Sequence, residues 1–509
     1  MATKRSSAED EGVPLLGAQE AVSSRGCVKA RHALAILGFL GFFNVYCMRV
    51  NLSVALVAMA NYTSTKNETL SEECSGNLST HITQGTAETY HWDENTQNQI
   101  LSAFFYGYLV TQIPGGWLAG KYGGKWLFGL GVLCTTILTL LTPLAASAGT
   151  GWLIAVRVLE GLGEGVTFPA MHAMWGSWAP PLERSKLATF TYAGSHMGTI
   201  ISSPISGVLC DSNFLGGWPA VFYLFGALGL VWFVFWTLLA HDTPAQHPRI
   251  SPEEREYIEK SIGHRNKRSL SVPILSVFTS VPMWAIIISH FANNWGFYTL
   301  LTNLPNYLKN VLKFDLSQSG FLSGLPYIFL WLAVVFGGQV ADYLRMNNIL
   351  TTGQTRKLFN NLGLSIPAIS LVLVGYVGCD RTLAIVFLCV ACLGAGLTMS
   401  GCNVNHLDIA PQYAGILMGI TNCGATIPGF AGPAVVGALT ENNNTISQWR
   451  IVFWICFGIY MFGIITYTFM ASGVEQPWAK EEYTVVVNAS EEDQEPSEEN
   501  HHVNPDYGR

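Results

Sequence analysis

Residues 151–178 read Gly151-Trp-Leu-Ile-Ala-Val-Arg157-Val-Leu-Glu160-Gly-Leu-Gly-Glu164-Gly-Val-Thr-Phe-Pro-Ala-Met-His172-Ala-Met-Trp-Gly-Ser-Trp178. The stretch is long enough to cross a bilayer as a helix, yet it carries Arg157, Glu160, Glu164 and His172. A charge at the centre of a membrane helix costs about 2.5–3.5 kcal/mol, against about −0.5 for a Leu. Three charges facing lipid would cost about 8–10 kcal/mol, more than the few aliphatic residues here offset. They must face a wet or polar interior. At about 100° per residue, Glu160, Glu164 and His172 fall within about 60° of Arg157, which predicts one shared face. An obligate cation beside groups that gain and lose a proton suits a proton-coupled anion path. A single Arg–Glu pair gluing this helix to a neighbour is the simpler alternative, and it leaves one carboxylate over.

Half of the 509 residues are hydrophobic and 12% are charged, about half the charge of an ordinary soluble domain. Fifteen Trp, 27 Phe and 51 Gly fit a multi-span membrane protein, where small residues let helices approach closely. Beyond 151–178, spans are expected near 32–60, 98–119, 126–147, 187–210, 218–240, 282–308, 319–343, 357–378, 382–405, 413–438 and 450–472, making twelve. A charged stretch divides them six and six. The expected fold is therefore all-α and integral to the membrane, twelve transmembrane helices in two six-helix bundles. The domains would be a tail at 1–31, a bundle at 32–240, a linker at 241–281, a second bundle at 282–472 and a tail at 473–509.

The loop 61–95 carries sequons at Asn61, Asn67 and Asn77, which places it in a lumen or outside the cell as a glycosylated loop. Of the 27 Lys and Arg, only Lys66, Lys309, Lys313, Arg381 and Arg450 fall on that side, so both termini are expected in the cytosol. No apolar run precedes Ala33, so the first span is expected to act as its own insertion signal. In the N-terminal tail, Glu11 stands four residues before Leu15-Leu16. That spacing suits a sorting signal to endosomes and lysosomes, read by a clathrin adaptor.

The sequence also excludes classes. The eleven Cys include one CxxC pair, Cys389-Val-Ala-Cys392, but it lies inside an apolar segment, as do most of the others, so they read as structural thiols and no metal is expected. Cys74, Cys210 and Cys379 could meet an oxidising lumen, with pairing left open. The run Gly161-Leu-Gly-Glu-Gly165 follows no strand, so it serves close helix packing, not phosphate binding. With no nucleophile elbow or nucleotide loop, an enzyme is not expected, nor a cofactor beyond a proton gradient. Lys and Arg within 249–268 interleave with Glu253, Glu254, Glu256 and Glu259, giving a solvated, partly helical linker and no nucleic-acid site. His196 and His290 read as satisfied core histidines. His172 either relays protons or hydrogen-bonds a neighbouring helix. His406 and Asp408 are expected to serve a gate or a helix end.

The two halves echo each other. After the second span comes Gly116-Trp-Leu-Ala-Gly120-Lys121-Tyr-Gly123-Gly-Lys125, and after the eighth comes Gly337-Gly-Gln-Val-Ala-Asp342-Tyr-Leu-Arg345. Parallel six-span repeats are a transporter arrangement. The first element resembles the loop signature of the major facilitator superfamily, with Gly120 where the signature has Asp; the second keeps it as Asp342. Arg157, Gly161 and Gly165 are similar to that superfamily's proton-coupling motif. Longer matches include Arg49-Val-Asn-Leu-Ser-Val-Ala-Leu, Phe104-Phe-Tyr-Gly-Tyr-Leu-Val-Thr-Gln-Ile-Pro-Gly-Gly, Ala179-Pro-Pro-Leu-Glu-Arg-Ser-Lys and Asn405-His-Leu-Asp-Ile-Ala-Pro. Together they resemble the organic-anion/phosphate transporter family, in particular its sialate-exporting branch.

The resemblance implies export of sialic acid and other acidic sugars such as glucuronate from the lysosome by proton symport, through alternating access and as a monomer. Functional arginines map to Arg49 and Arg157, and protonatable carboxylates to Glu160 and Glu164. The vesicular glutamate carriers of the family have an Arg where Asn293 stands, and the amides of Asn293 and Asn294 suit sugar hydroxyls better than a second carboxylate. Arg49 can hold a carboxylate bidentately, and Tyr46, Tyr106 and Tyr298 are expected hydroxyl contacts. Arg157, Glu160, Glu164 and His172 form the expected proton-coupling set. The alternative is a plasma-membrane or synaptic-vesicle carrier of nitrate, phosphate, aspartate or glutamate, driven by sodium or membrane potential.

Overall fold

The computed structural model describes residues 29–59, 89–92, 94–262, 272–314, 316–440 and 445–479. The sequons at Asn61, Asn67 and Asn77 and the sorting residues Glu11, Leu15 and Leu16 lie outside them. The described residues form α-helices joined by short turns, with no strand among them.

The first half contains α1 (Ala30–Met59), α2 (Glu94–Tyr122), α3 (Gly124–Ala148), α4 (Thr150–Glu164), α5 (Thr167–Trp178), α6 (Arg184–Asp211) and α7 (Trp218–Leu239). The linker contributes α8 (Pro252–Ile262) and α9 (Ile274–Thr279). The second half contains α10 (Val281–Asn306), α11 (Leu316–Met346), α12 (Thr352–Tyr376), α13 (Arg381–Gly396), α14 (Cys402–Ile409), α15 (Ala414–Thr426), α16 (Pro428–Thr440) and α17 (Ile446–Met470). Three crossings are built from two helices each: α4 with α5, α13 with α14, and α15 with α16. Glycine or proline marks each break, at Gly165, Gly401 and Pro428, where a backbone hydrogen bond or helical geometry is readily given up. Counted this way, the described helices make twelve crossings.

Only eight of these stretches are both long and apolar enough to qualify as spans by hydropathy alone. The crossings that fall short are α2, α4 with α5, α6 and α10. They bear the interior residues Tyr108, Arg157, Glu164, His196 and Asn293. Low hydropathy here marks an inward-facing polar surface, not a failure to cross.

The repeat is visible in packing. In the first half α1 lies along α6, α2 along α4, and α3 along α7. In the second, α10 lies along α15 and α16, α11 along α13, and α12 along α17. The halves meet where α6 packs on α11 and α15 packs on α2. Small residues permit these contacts, as expected for membrane helices. A Cβ on Gly161 would strike the Phe104 carbonyl, and one on Gly107 the Val158 carbonyl, so α2 and α4 touch backbone to backbone.

The face carrying α8 is tied down by ions. Arg31, at the start of α1, bonds Glu183 at 2.9 Å and Glu254 of α8 at 2.9 Å. Glu254 is buried, so the linker is not uniformly solvated. Both described ends of the chain share this face: Ala30 N donates to Glu254, and Gln476 N donates to Ile409 O at the end of α14.

Candidate transport site

Arg49 projects from the middle of α1 and is 8% exposed. It forms an ion pair with Glu164, the last residue of α4. Its guanidinium lies over three rings, Tyr46 at 4.7 Å, Phe104 at 4.7 Å and Tyr108 at 4.6 Å. Each such contact stabilises a cation by about 0.5–2 kcal/mol, more when water is excluded. The Arg49 Nη1 also donates to the Tyr46 hydroxyl at 3.5 Å. Tyr298 of α10 reaches the same cation from the opposite half, so the site straddles the seam.

The second pair differs in its support. Arg157 Nη1 donates to Glu160 at 2.5 Å, and the Thr139 and Thr142 hydroxyls of α3 donate to the other Glu160 oxygen at 3.1 and 3.5 Å. Glu160 is thus held from two helices. Glu164 has neither hydroxyl nor amide: beyond Arg49, no hydrogen-bond partner reaches either of its oxygens. Both guanidiniums lie against the Phe104 ring, Arg49 at 4.7 Å and Arg157 at 5.2 Å from its centre.

Several sequence expectations need correcting. The shared face of Arg157, Glu160, Glu164 and His172 does not hold as one path, because Glu160 turns to α3 and Glu164 to α1. His172 lies beyond the break at Gly165, apart from both pairs. Its Nε2 meets the Asn403 carbonyl of α14 at 3.1 Å, so that nitrogen donates and Nδ1 accepts from the Tyr192 hydroxyl at 2.5 Å. His172 therefore joins the halves. Tyr106 is 55% exposed on an outer stripe with Val110, Ile113 and Trp117; Tyr108, two residues and about 200° further round, takes the inward place. Asn294 is committed to the backbone, donating to Ala425 O at 2.9 Å. Asn293 is buried with its Oδ1 unpartnered. His290 meets Thr421 Oγ1 at 3.4 Å, a satisfied core position. His196 is not: it is buried and neither ring nitrogen has a hydrogen-bond partner.

Towards the α8 face, polar contacts close the seam. Asp342 of α11 accepts from Lys186 N at 2.7 Å. Arg356 of α12, fully buried, donates to Asp408 at 2.7 Å, to Ser185 at 2.8 Å and to Ser400 O at 2.9 Å. Arg184 adds an ion pair to Asp408 at 3.9 Å. A Cβ at Gly120 would meet nothing, whereas Asp342 makes the contact between halves. Asp408 thus links Arg184 of the first half to Arg356 of the second, and His406 sits nearby, its Nε2 on Thr421 Oγ1 at 2.8 Å. Phe104, Tyr108, Thr139, Thr142 and Arg356 were not singled out from the sequence. The i, i+4 spacing of Phe104 and Tyr108 opposite Gly161 and Gly165 was the available signal for the first two. Among the described residues no group of His, Cys, Asp and Glu could hold a metal ion. Cys379 is disulfide-bonded.

The family model for the Major Facilitator Superfamily matches residues 34–433. The chain belongs to the major facilitator superfamily. Sialin of Homo sapiens is 50% identical over 471 residues, 92% of this chain and 94% of that one. Vesicular glutamate transporter 2 of Homo sapiens is 42% identical over 459 residues, 89% of this chain and 76% of that one. The crystallised proton:xylose symporter XylE superposes with a TM-score of 0.67 at 13% identity, covering 89% of this chain and 99% of that chain. This major facilitator protein is a multi-pass membrane transporter, not an enzyme.

Proposed function

We propose that the chain is a proton-coupled symporter that exports sialic acid and other acidic sugars such as glucuronate from the lysosome by alternating access. The observation that carries this reading is the Arg49–Glu164 pair on the seam. Arg49 carries a single positive charge in a buried site, and a second carboxylate beside Glu164 would leave net negative charge there, so a substrate carboxylate takes Arg49 only when Glu164 gives up its charge. Glu164 has no other hydrogen-bond partner for its charge, so release follows protonation. Proton and anion then enter together, and the site stays neutral while the halves rock.

In this cycle the α8 face, with both termini, is cytosolic. Lumenal acid protonates Glu164, sialate binds Arg49, and the Asp342 and Arg356 contacts give way. At cytosolic pH Glu164 loses its proton, re-pairs with Arg49 and expels the anion. Glu160 keeps Arg157 neutralised throughout. A gradient of about two pH units supplies roughly 2.7 kcal/mol per proton, about a hundredfold outward bias. The name of the 50% identical relative, sialin, supports sialate as the first substrate to try.

The test is flux of labelled sialate from acid-loaded vesicles, competed by glucuronate, nitrate, phosphate and glutamate. Acceleration by the proton gradient with glucuronate as competitor is expected. Flux that needs sodium and ignores pH would discard the proposal.

A further inference from the structure

Two turns above the lock that shuts the α8 face, three buried polar groups on the seam lack partners. Gly338 of α11 lies against Thr189 and Ser185 of α6, and Asp342 accepts from Lys186 N, so the two helices run antiparallel. Seven residues along each from Gly338 and Thr189 bring Trp331 opposite His196, on the same two faces. His196 is 5% exposed with neither ring nitrogen bonded. The Trp331 Nε1 is likewise buried and unpartnered. On α10, Phe297 lies 6.1 Å from the His196 ring. One turn earlier on that face is Asn293, 8% exposed, its Oδ1 unpartnered. A buried donor or acceptor without a partner is costly, and three on neighbouring helices within about one turn of one another along the seam share that cost.

We infer that His196, Trp331 and Asn293 form a subsite for the uncharged polar groups of the passenger, the hydroxyls and acylamide of an acidic sugar, while Arg49 holds its carboxylate. This rests on the function proposed above and names the residues that read the rest of the molecule. The chemistry is matched. Neutral imidazole offers one donor and one acceptor, the indole one donor and the amide oxygen one acceptor, the mixture a hydroxyl chain needs. A site built for hydroxyls discriminates strongly against a ligand lacking them, because its own groups then stay unpaired. The residues come from both halves, so the subsite is complete only while the halves are together around a bound sugar.

The test uses full-length protein, measuring sialate affinity by ligand-dependent thermal shift and KM by flux in vesicles. H196L is expected to raise Kd and KM for sialate about tenfold, and W331F by several-fold, each about one hydrogen bond lost. H196Q, which keeps a donor and an acceptor, is expected to stay within about threefold of the parent protein. The preference for sialate over a hydroxyl-free monocarboxylate should fall about tenfold in H196L. Without ligand, H196L should melt no lower than the parent, since an unpartnered group has been removed. If H196L fails to fold, W331F and H196Q decide. Parent-like sialate affinity in H196L or W331F would overturn the subsite and leave the transport reading standing, the groups then holding only water. A parent protein that neither binds nor moves sialate would sink both.

Discussion

At the scale of single residues, the two glutamates of α4 have been given different work by their neighbours. Glu160 accepts from Arg157, Thr139 and Thr142, so E160Q strips a buried, fully supported counter-ion from Arg157. Such losses cost about 3–5 kcal/mol, and E160Q is expected to lower the yield of folded protein and its melting temperature. Glu164 answers only to Arg49. With Glu164 neutral, Arg49 keeps its three ring faces, so E164Q is expected to lose less melting temperature than E160Q, to exchange sialate across the membrane, and to lose stimulation by a pH gradient. A matched pair of thermal and flux measurements separates the two; equal behaviour of both variants would contradict the division. Arg49→Lys keeps the charge but loses the planar fork and much of its stacking on three rings. Sialate KM should rise by about tenfold or more, and a parent-like KM would remove Arg49 from its role.

At the scale of elements, α2 and α4 show why the site is where it is. Gly161 admits the Phe104 backbone and Gly165 the Tyr108 backbone, which seats both rings against Arg49. Gly161→Val would push the helices apart, and loss of folded protein is expected on size-exclusion chromatography. Y106A should leave sialate flux parent-like, since that ring faces outward, whereas Y108A should slow it. The strap between α1 and α8 includes Glu183, just ahead of α6, which accepts from Arg31 of α1 and from the Tyr257 hydroxyl of α8. Burial would raise the Glu183 carboxyl, but hydrogen bonds and charge from Arg31 outweigh it and hold the group below its ordinary value. A carboxylate lowered on folding contributes stability above its unfolded pKa, about 4.3, and loses it as pH falls further. Protease cutting within α8 should therefore stay level from about pH 8 to 5 and rise below about 4. A rise between about pH 7 and 6 would contradict this assignment of Glu183.

At the scale of the whole molecule, Arg356, Asp408 and Ser185 join the two halves on the α8 face. Arg356→Ala leaves Asp408 buried beside Arg184 alone, which should loosen the seam on that face. Faster alkylation of a cysteine placed at Ser400, relative to the same cysteine beside an intact Arg356, is expected. How far this architecture can be read from sequence follows the same physics. Twelve crossings and their division are legible because lipid demands length and apolarity, and Arg49, Glu160 and Glu164 are legible because charge at mid-membrane is costly. The inward choice of Tyr108 over Tyr106 is not, since it depends on which helix lies beside α2. Nor is the isolation of His196, which arises only when α6 meets α11 and Phe297. The separation of His172 from both pairs is not legible on a helical wheel, which shows angle and not the roughly 12 Å of axial rise between Glu164 and His172.

The claim that a substrate carboxylate and Glu164 compete for Arg49 is open to one direct measurement. Purified protein in weakly buffered solution with a pH indicator is titrated with sialate at about pH 6. About one proton should be taken up per sialate bound by the parent protein, and none by E164Q. Sialate binding to the parent protein without proton uptake would contradict it.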